Sequence, residues 1–210
     1  MTWVEVGEII KAVSPAITAT TALAAVIIGW RGLNKWQAEM IGRRRSEIAE
    51  DVLAAFDEAR DRLRSIRLHG GLFDENEGRR APEDETPLQK RDRDAAFVPF
   101  ARYQRHRDFL GSVLAKRYRL RALLGSGANV EQPFRELENC LAEVLFAVDR
   151  LMQTAGQQPA ERSQWEATIR SHDEADAISK KMDAAIASLE RLCRPILEGK
   201  PQPKRWWWRA

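Results

Sequence analysis

The chain has 210 residues and a mass of 24.0 kDa, which suits one ordinary domain, or one domain plus an appendage. Its net charge is only +3, from 34 Lys+Arg against 31 Asp+Glu, and so small an excess argues against a general polyanion-binding protein. Two cysteines exclude a disulfide-stapled secreted scaffold, and a hydrophobic fraction of 44% excludes wholesale disorder.

The first predicted element is an apolar helix near the N-terminus. Nineteen uncharged residues, 12–30, lie between Lys11 and Arg31. As a helix they extend roughly 28 Å, which is close to the hydrocarbon thickness of a bilayer. We therefore predict a transmembrane anchor over residues 1–30. A cleaved signal peptide and a buried core helix are the alternative interpretations of the same run.

Basic residues follow this segment more densely than they precede it. Lys11 alone precedes it, whereas the basic residues that follow are Arg31, Lys35, Arg43, Arg44 and Arg45. The positive-inside rule then places the N-terminus outside the cell membrane and the bulk of the chain in the cytoplasm. Trp30 and Trp36 are expected at the level of the inner headgroups.

Residues 31–69 are predicted to form a juxtamembrane region and the first cytoplasmic helix. Apolar residues recur there at intervals of three or four with charges between them, which is typical of an amphipathic helix, and Gly70 and Gly71 end it. Residues 70–97 are predicted to be a charged, flexible loop, because positions 74–94 hold eight acids and five bases with almost nothing apolar.

Residues 98–198 are predicted to form three further helices. The first of these begins near Pro99, a residue suited to an opening turn. The next carries apolar residues at a and d positions from Phe134 to Leu151, a seam typical of bundles and coiled coils. The last begins at one of two capping boxes, which are Ser163 with Glu166 and Ser171 with Glu174.

These elements together predict an all-α fold: a single N-terminal transmembrane helix followed by an antiparallel four-helix bundle. No segment alternates like a strand, and the helices are of similar length. The a/d seam either lies in the core of the bundle or binds a helical partner, such as a second copy of the chain in a homo-oligomer.

Antiparallel packing brings the basic clusters to the end of the bundle that faces the membrane. The tail, residues 199–210, adds three consecutive tryptophans among cations, which suits an interfacial anchor on an anionic inner leaflet. A solvated helix face and a tail packed on the bundle are the plainer interpretations. The residues predicted at the membrane interface are Trp30, Trp36, Arg43, Arg44, Arg45, Lys116, Arg117, Arg119, Arg121, Lys204, Arg205, Trp206, Trp207, Trp208 and Arg209.

The alternative function is a membrane-tethered nucleic-acid-binding protein that uses the basic helix 102–121. This stretch holds seven basic residues and one acid, with Tyr103, Phe109 and Tyr118 available for stacking. The aromatic positions coincide with the apolar stripe, however, and no recognised nucleic-acid module accompanies them. Nucleic acid is therefore the less favoured partner, and the lipid bilayer the favoured one.

No motif indicates catalysis. The densest set of candidate ligands, His172-Asp173-Glu174, is interpreted as a helix N-terminal turn, because neighbouring helical positions point in different directions. Cys140 and Cys193 are interpreted as buried thiols in a reducing compartment, with a redox pair as the alternative. We predict no enzymatic activity, no cofactor and no metal, and a role in interaction or scaffolding.

Overall fold

The computed structural model describes residues 3–68, 75, 78–125, 128–170 and 176–199, with side chains from residue 25 onward. All the regular secondary-structure elements in these ranges are α helices. They are α1 (Trp3–Arg67), α2 (Pro87–Leu124), α3 (Glu131–Gln153), α4 (Arg162–Ile169) and α5 (Ala177–Leu197). The all-α prediction is confirmed.

The chain divides into two compact units, Met1–Arg45 and Ser46–Ala210, which we call the N-terminal and C-terminal units. The N-terminal unit consists of the first part of α1. The predicted transmembrane segment, residues 12–30, falls partly on residues 12–24, whose side chains lie outside the described part of the chain.

Within the described residues, none of the helices combines the length and the apolar character needed to cross a bilayer.

The C-terminal unit is built around one apolar core to which four helices contribute. The last part of α1 supplies Phe56, α2 supplies Leu110, α3 supplies Phe134 and α5 supplies Leu189, and each of these side chains is fully or almost fully buried. The Phe56 and Phe134 rings meet edge to face, with centroids 4.9 Å apart. A smaller cluster joins α4 to α3 through Ile169.

Contacts at two levels of three helix pairs show that the helices of each of these pairs run antiparallel. In each pair, an earlier residue of the first helix contacts a later residue of the second, and a later residue of the first contacts an earlier residue of the second. The contacts are Asp51–Lys116 and Ser65–Arg102 between α1 and α2, Arg121–Glu131 and Arg93–Met152 between α2 and α3, and Arg60–Asp183 and Arg67–Asp176 between α1 and α5.

Most of the a/d seam of α3 lies inside this core. The six apolar residues of the seam are all buried, the first four in this core and the last two in the smaller cluster: Phe134, Leu137, Leu141, Val144, Val148 and Leu151. Of the two interpretations of the seam, the structure therefore favours the bundle core, since a second copy of the chain could reach these side chains only by opening the unit.

The start of α2 differs from the prediction. The helix begins at Pro87 rather than near Pro99, so residues 87–97, predicted above as loop, are helical. Thr86 and Gln89 form a capping box: the Thr86 hydroxyl accepts from the Gln89 amide at 3.3 Å, and the Gln89 side chain accepts from the Thr86 amide at 3.0 Å. Pro99 lies buried inside the helix.

The start of the last helix also differs. α5 follows Asp176, whose carboxylate accepts from the Ser179 amide at 2.8 Å. The predicted cap at Ser163 is wrong, because Ser163 lies within α4, which has no side-chain cap. The other predicted capping box, Ser171 with Glu174, lies outside the described residues.

Candidate interaction surfaces

The N-terminal unit carries large apolar side chains that are exposed in the described part of the chain. Ile28 and Trp30 are 70% and 68% exposed. Burying a large apolar side chain contributes about 1.5–3 kcal/mol. Covering this set would therefore contribute on the order of 10 kcal/mol of favourable free energy. The set comprises Val26, Ile27, Ile28, Trp30, Leu33, Trp36, Met40 and Ile41.

The predicted basic flank of this segment is exposed as well. Arg31, Arg44 and Arg45 are exposed, as is Arg43. Lys35 lies 3.9 Å from Glu39 in a pair that is open to solvent on both sides. An exposed pair of this kind contributes little to stability, so the cationic group remains available to an anionic surface.

The basic cluster at the end of α2 lies at the Ser46 end of the C-terminal unit. Lys116 pairs with Asp51, close to the start of that unit. Arg117 pairs with Glu138 and Arg121 with Glu131, both on the first half of α3. Three of the four predicted cations thus join helices, while Arg119 is exposed. The remaining predicted interface residues, Lys204, Arg205, Trp206, Trp207, Trp208 and Arg209, lie outside the described residues.

The basic face predicted for nucleic acid is largely occupied by carboxylates. Arg102 is only 6% exposed, and it pairs with Glu75, which Arg105 also contacts at 3.2 Å. Together with the three pairs above, five of the seven basic side chains of helix 102–121 have a carboxylate partner. A nucleic-acid phosphate would have to displace these partners. Tyr103 and Phe109 pack against the core, whereas Tyr118 is exposed.

The segment predicted to be a solvated loop contains buried ion pairs instead. The Glu75 side chain is 5% exposed and lies 2.8 Å from Arg102. The Glu85 side chain is 3% exposed and accepts from Arg79 and Arg93 at 2.8 and 2.9 Å. The hydrogen bond from Arg79 lowers the pKa of Glu85 despite the opposing effect of burial. The mixed charges of this segment were the only sequence signal for these pairs.

The two cysteines are buried, and neither forms a disulfide bond. The Cys140 thiol lies 4.0 Å from the Ile178 carbonyl, whereas Cys193 is 15 positions further along α5, or about 22 Å. A disulfide needs α-carbons about 5.5 Å apart, so the structure does not place Cys140 and Cys193 close enough for the redox pair considered above. Burial raises the pKa of each thiol to about 11.

The described residues contain no group of three or more His, Cys, Asp or Glu side chains arranged to hold a metal ion. The candidate set His172-Asp173-Glu174 lies outside them.

Comparisons with protein-family models, curated proteins and solved structures find no match for this chain. Its function is therefore inferred from the surfaces described above.

Proposed function

We propose that this protein is a single-pass, membrane-anchored helical protein that serves as an interaction scaffold and catalyses no reaction. Residues 12–30 span the bilayer with the N-terminus outside. Residues 46–199 form a cytoplasmic helical unit, and the basic residues at its Ser46 end contact the anionic inner leaflet.

One observation carries the proposal: the exposed apolar side chains at residues 26–41. They continue directly from an uncharged run that starts at residue 12. In water, side chains such as Ile28 and Trp30 would stay solvated at a cost of about 1 kcal/mol or more each. A bilayer spanned by residues 12–30 covers Val26, Ile27 and Ile28 and accommodates the indole rings of Trp30 and Trp36 at its headgroup level.

The exposed basic residues support the orientation. Arg31, Lys35 and the run from Arg43 to Arg45 are exposed directly after the uncharged run. Each cation near an anionic leaflet contributes about 1 kcal/mol before screening. In the C-terminal unit this contribution falls mainly to Arg119, because Lys116, Arg117 and Arg121 already face carboxylates.

The ion pairs between helices support a scaffold role for the C-terminal unit. They cross-link α1, α2, α3 and α5 at several levels, and the apolar core between them is continuous. Such a unit presents fixed surfaces to a partner. The nucleic-acid alternative is the weaker one, since Arg107 and Arg119 are the two basic residues of helix 102–121 that face solvent without a carboxylate partner among the described residues.

Membrane fractionation with an alkaline wash tests the proposal. We expect tagged full-length protein to remain in the membrane pellet at alkaline pH. The double variant Leu23→Arg/Ile27→Arg should leave the pellet, because an arginine near the centre of a span, as at Leu23, costs about 2.5–3.5 kcal/mol and the second arginine adds to that cost.

The matched control is Leu68→Arg/Leu88→Arg, which places the same charges on exposed leucines of the C-terminal unit. This control should stay in the pellet. Recovery of the unaltered chain in the soluble fraction or in the alkaline wash would refute the anchor. A salt-sensitive shift of a nucleic-acid probe by the full chain would favour the alternative instead.

A further inference from the structure

A groove of about 680 Å³ lies between α2 and α3 in the C-terminal unit. Its apolar lining consists of Phe97 and Phe100 from α2, and Leu145, Val148 and Met152 from α3. The Phe97 and Phe100 rings are tilted against each other with centroids 5.8 Å apart. A volume of this size is ordinary for a small-molecule site, where apolar walls and a few polar groups bind a ligand.

A short loop, residues 78–82, forms another wall of the groove and is fixed in place. Arg79 donates to the Asp94 carboxylate at 2.6 Å and to both Glu85 oxygens at 3.1 and 2.8 Å. Gly78 lies next to the Phe97 ring. The groove therefore exists before a ligand arrives, which reduces the ordering cost of binding.

The polar groups at the edge of the groove are mainly guanidinium groups. Arg80 lines it, is exposed, and makes no hydrogen bond or ion pair within the described residues. Arg93 donates through Nε to the Met152 carbonyl and through Nη1 to Glu85, so its remaining N–H groups are available. The one acid in the lining, Asp149, accepts a hydrogen bond from Gln153.

We propose that this groove binds an amphiphile with an anionic head group. The alkyl chain lies against Phe97, Phe100 and Met152, and the carboxylate or phosphate of the head group pairs with Arg80. Arg80 is the group that favours an anion, because Arg79 and Arg93 already pair with Glu85 and Asp94, whereas Arg80 has no carboxylate partner among the described residues. This site is independent of the membrane anchor, since it lies wholly within the C-terminal unit.

Calorimetric titration of the full chain in digitonin, a detergent without an alkyl chain, tests the site. The probes are decanoate and decyltrimethylammonium, which share an alkyl chain and differ in the sign of the head group. We expect saturable binding of decanoate at one site and at least tenfold weaker binding of the cation. Equal binding of both probes would overturn the proposal.

Three variants test whether decanoate binds in the groove. Arg80→Gln should weaken decanoate binding by about tenfold, the effect of losing one charge-assisted hydrogen bond. Arg107→Gln, an exposed arginine of α2 that does not line the groove, should leave binding unchanged, and Leu145→Trp should abolish it by filling the groove. Titration of each probe into digitonin alone measures its partitioning into micelles, and this contribution is subtracted before probes or variants are compared.

An unchanged affinity in Arg80→Gln, or in a folded Leu145→Trp variant, would refute the assignment. Urea-dependent labelling of Cys140 and Cys193 shows whether each variant is folded. Free fatty acid and membrane phospholipid are the two sources of such a ligand. A short-chain phosphatidylglycerol that binds more tightly than decanoate identifies the lipid as the source, and weaker binding identifies the free acid.

Discussion

Replacing Arg102 with methionine removes a buried charge of the C-terminal unit that donates several hydrogen bonds among the described residues. Arg102 is 6% exposed and donates to both carboxylate oxygens of Glu75, and to the carbonyls of Ser65 and Leu68 at 3.2 and 2.6 Å. Methionine keeps much of the aliphatic volume but donates no hydrogen bond. The variant therefore leaves a buried carboxylate and two carbonyl groups without these donors.

The expected loss follows from this geometry. Removing one member of a buried ion pair costs about 3–5 kcal/mol. Arg105 still contacts Glu75 at 3.2 Å from an exposed position, so part of the carboxylate charge stays compensated. We therefore expect the lower end of that range, about 3 kcal/mol.

Thiol labelling across a urea series measures this loss in the full chain. The only two cysteines, Cys140 and Cys193, are both fully buried in the C-terminal unit, so their alkylation reports its unfolding even when detergent covers other parts of the protein. With a urea dependence of about 2 kcal/mol per molar, the midpoint should fall by about 1.5 M.

The matched control is Arg107→Met, an exposed arginine on the same helix, whose midpoint should move by less than about 0.3 M. Adding Glu75→Gln to Arg102→Met should restore part of the loss, because the buried charge is then removed as well. Equal midpoints for Arg102→Met and Arg107→Met would refute the reasoning.

Three further perturbations probe the same unit. Phe56→Ala should lower its stability by about 3–5 kcal/mol in the urea assay, whereas the 54%-exposed Phe146→Ala should cost less than about 1 kcal/mol; similar losses would contradict the assigned core. Cys140 and Cys193 should resist alkylation and oxidant in the folded protein, and an intramolecular disulfide band on a non-reducing gel would show the helix placement to be wrong. Because burial raises the pKa of both thiols from 9.0 to about 11, stability should fall as pH rises from about 9 to 11, which pH-dependent urea midpoints measure. Asp176→Ala should cost about 2 kcal/mol through the lost helix cap and ion pair. The pKa of Asp176 is lowered because its hydrogen bonds outweigh the effect of burial. The contribution of Asp176 to stability is therefore complete at neutral pH and is lost as pH falls through its folded-state pKa. If the variant and the unaltered chain lose stability equally in acid, this contribution is refuted.

Local periodicity is what made the fold class predictable. The apolar residues of α3 recur at intervals of three and four, and the six predicted from Phe134 to Leu151 are all buried. Apolar residues recur at the same intervals in α5, where Ile178, Met182 and Leu189 are buried, although Leu197 at the end of the helix is 39% exposed. A pattern of this kind depends only on neighbours along the helix, so the sequence contains the information directly.

The starts of α2 and α5 depend on contacts that such patterns do not encode. Residues 87–97 contain few apolar side chains, and the ion pairs Arg79–Asp94 and Arg162–Asp92 help hold this part of α2 in place. Arg162 is 70 positions from Asp92 along the chain. Periodicity over a window of a dozen residues cannot detect such a pair.

The candidate surfaces were predictable to different extents. Trp30 and Trp36 are exposed, and their place at the inner headgroups of a membrane stays a prediction. Arg102, in contrast, belongs to the basic helix predicted for nucleic acid and is buried, because its carboxylate partner Glu75 comes from the preceding loop. The groove between α2 and α3 required the relative placement of two helices and a loop, which no single segment specifies.

Labelling with a membrane-impermeant maleimide in intact cells tests the central proposal most directly. The native cysteines are buried, so new cysteines can be introduced one at a time into the full chain as Thr2→Cys and Ser163→Cys, the latter at an exposed position of α4. A single-pass anchor with its N-terminus outside predicts that Thr2→Cys reacts in intact cells and Ser163→Cys only after lysis. Protection of both sites until lysis, or reaction of both in intact cells, would contradict the proposed anchor and its orientation.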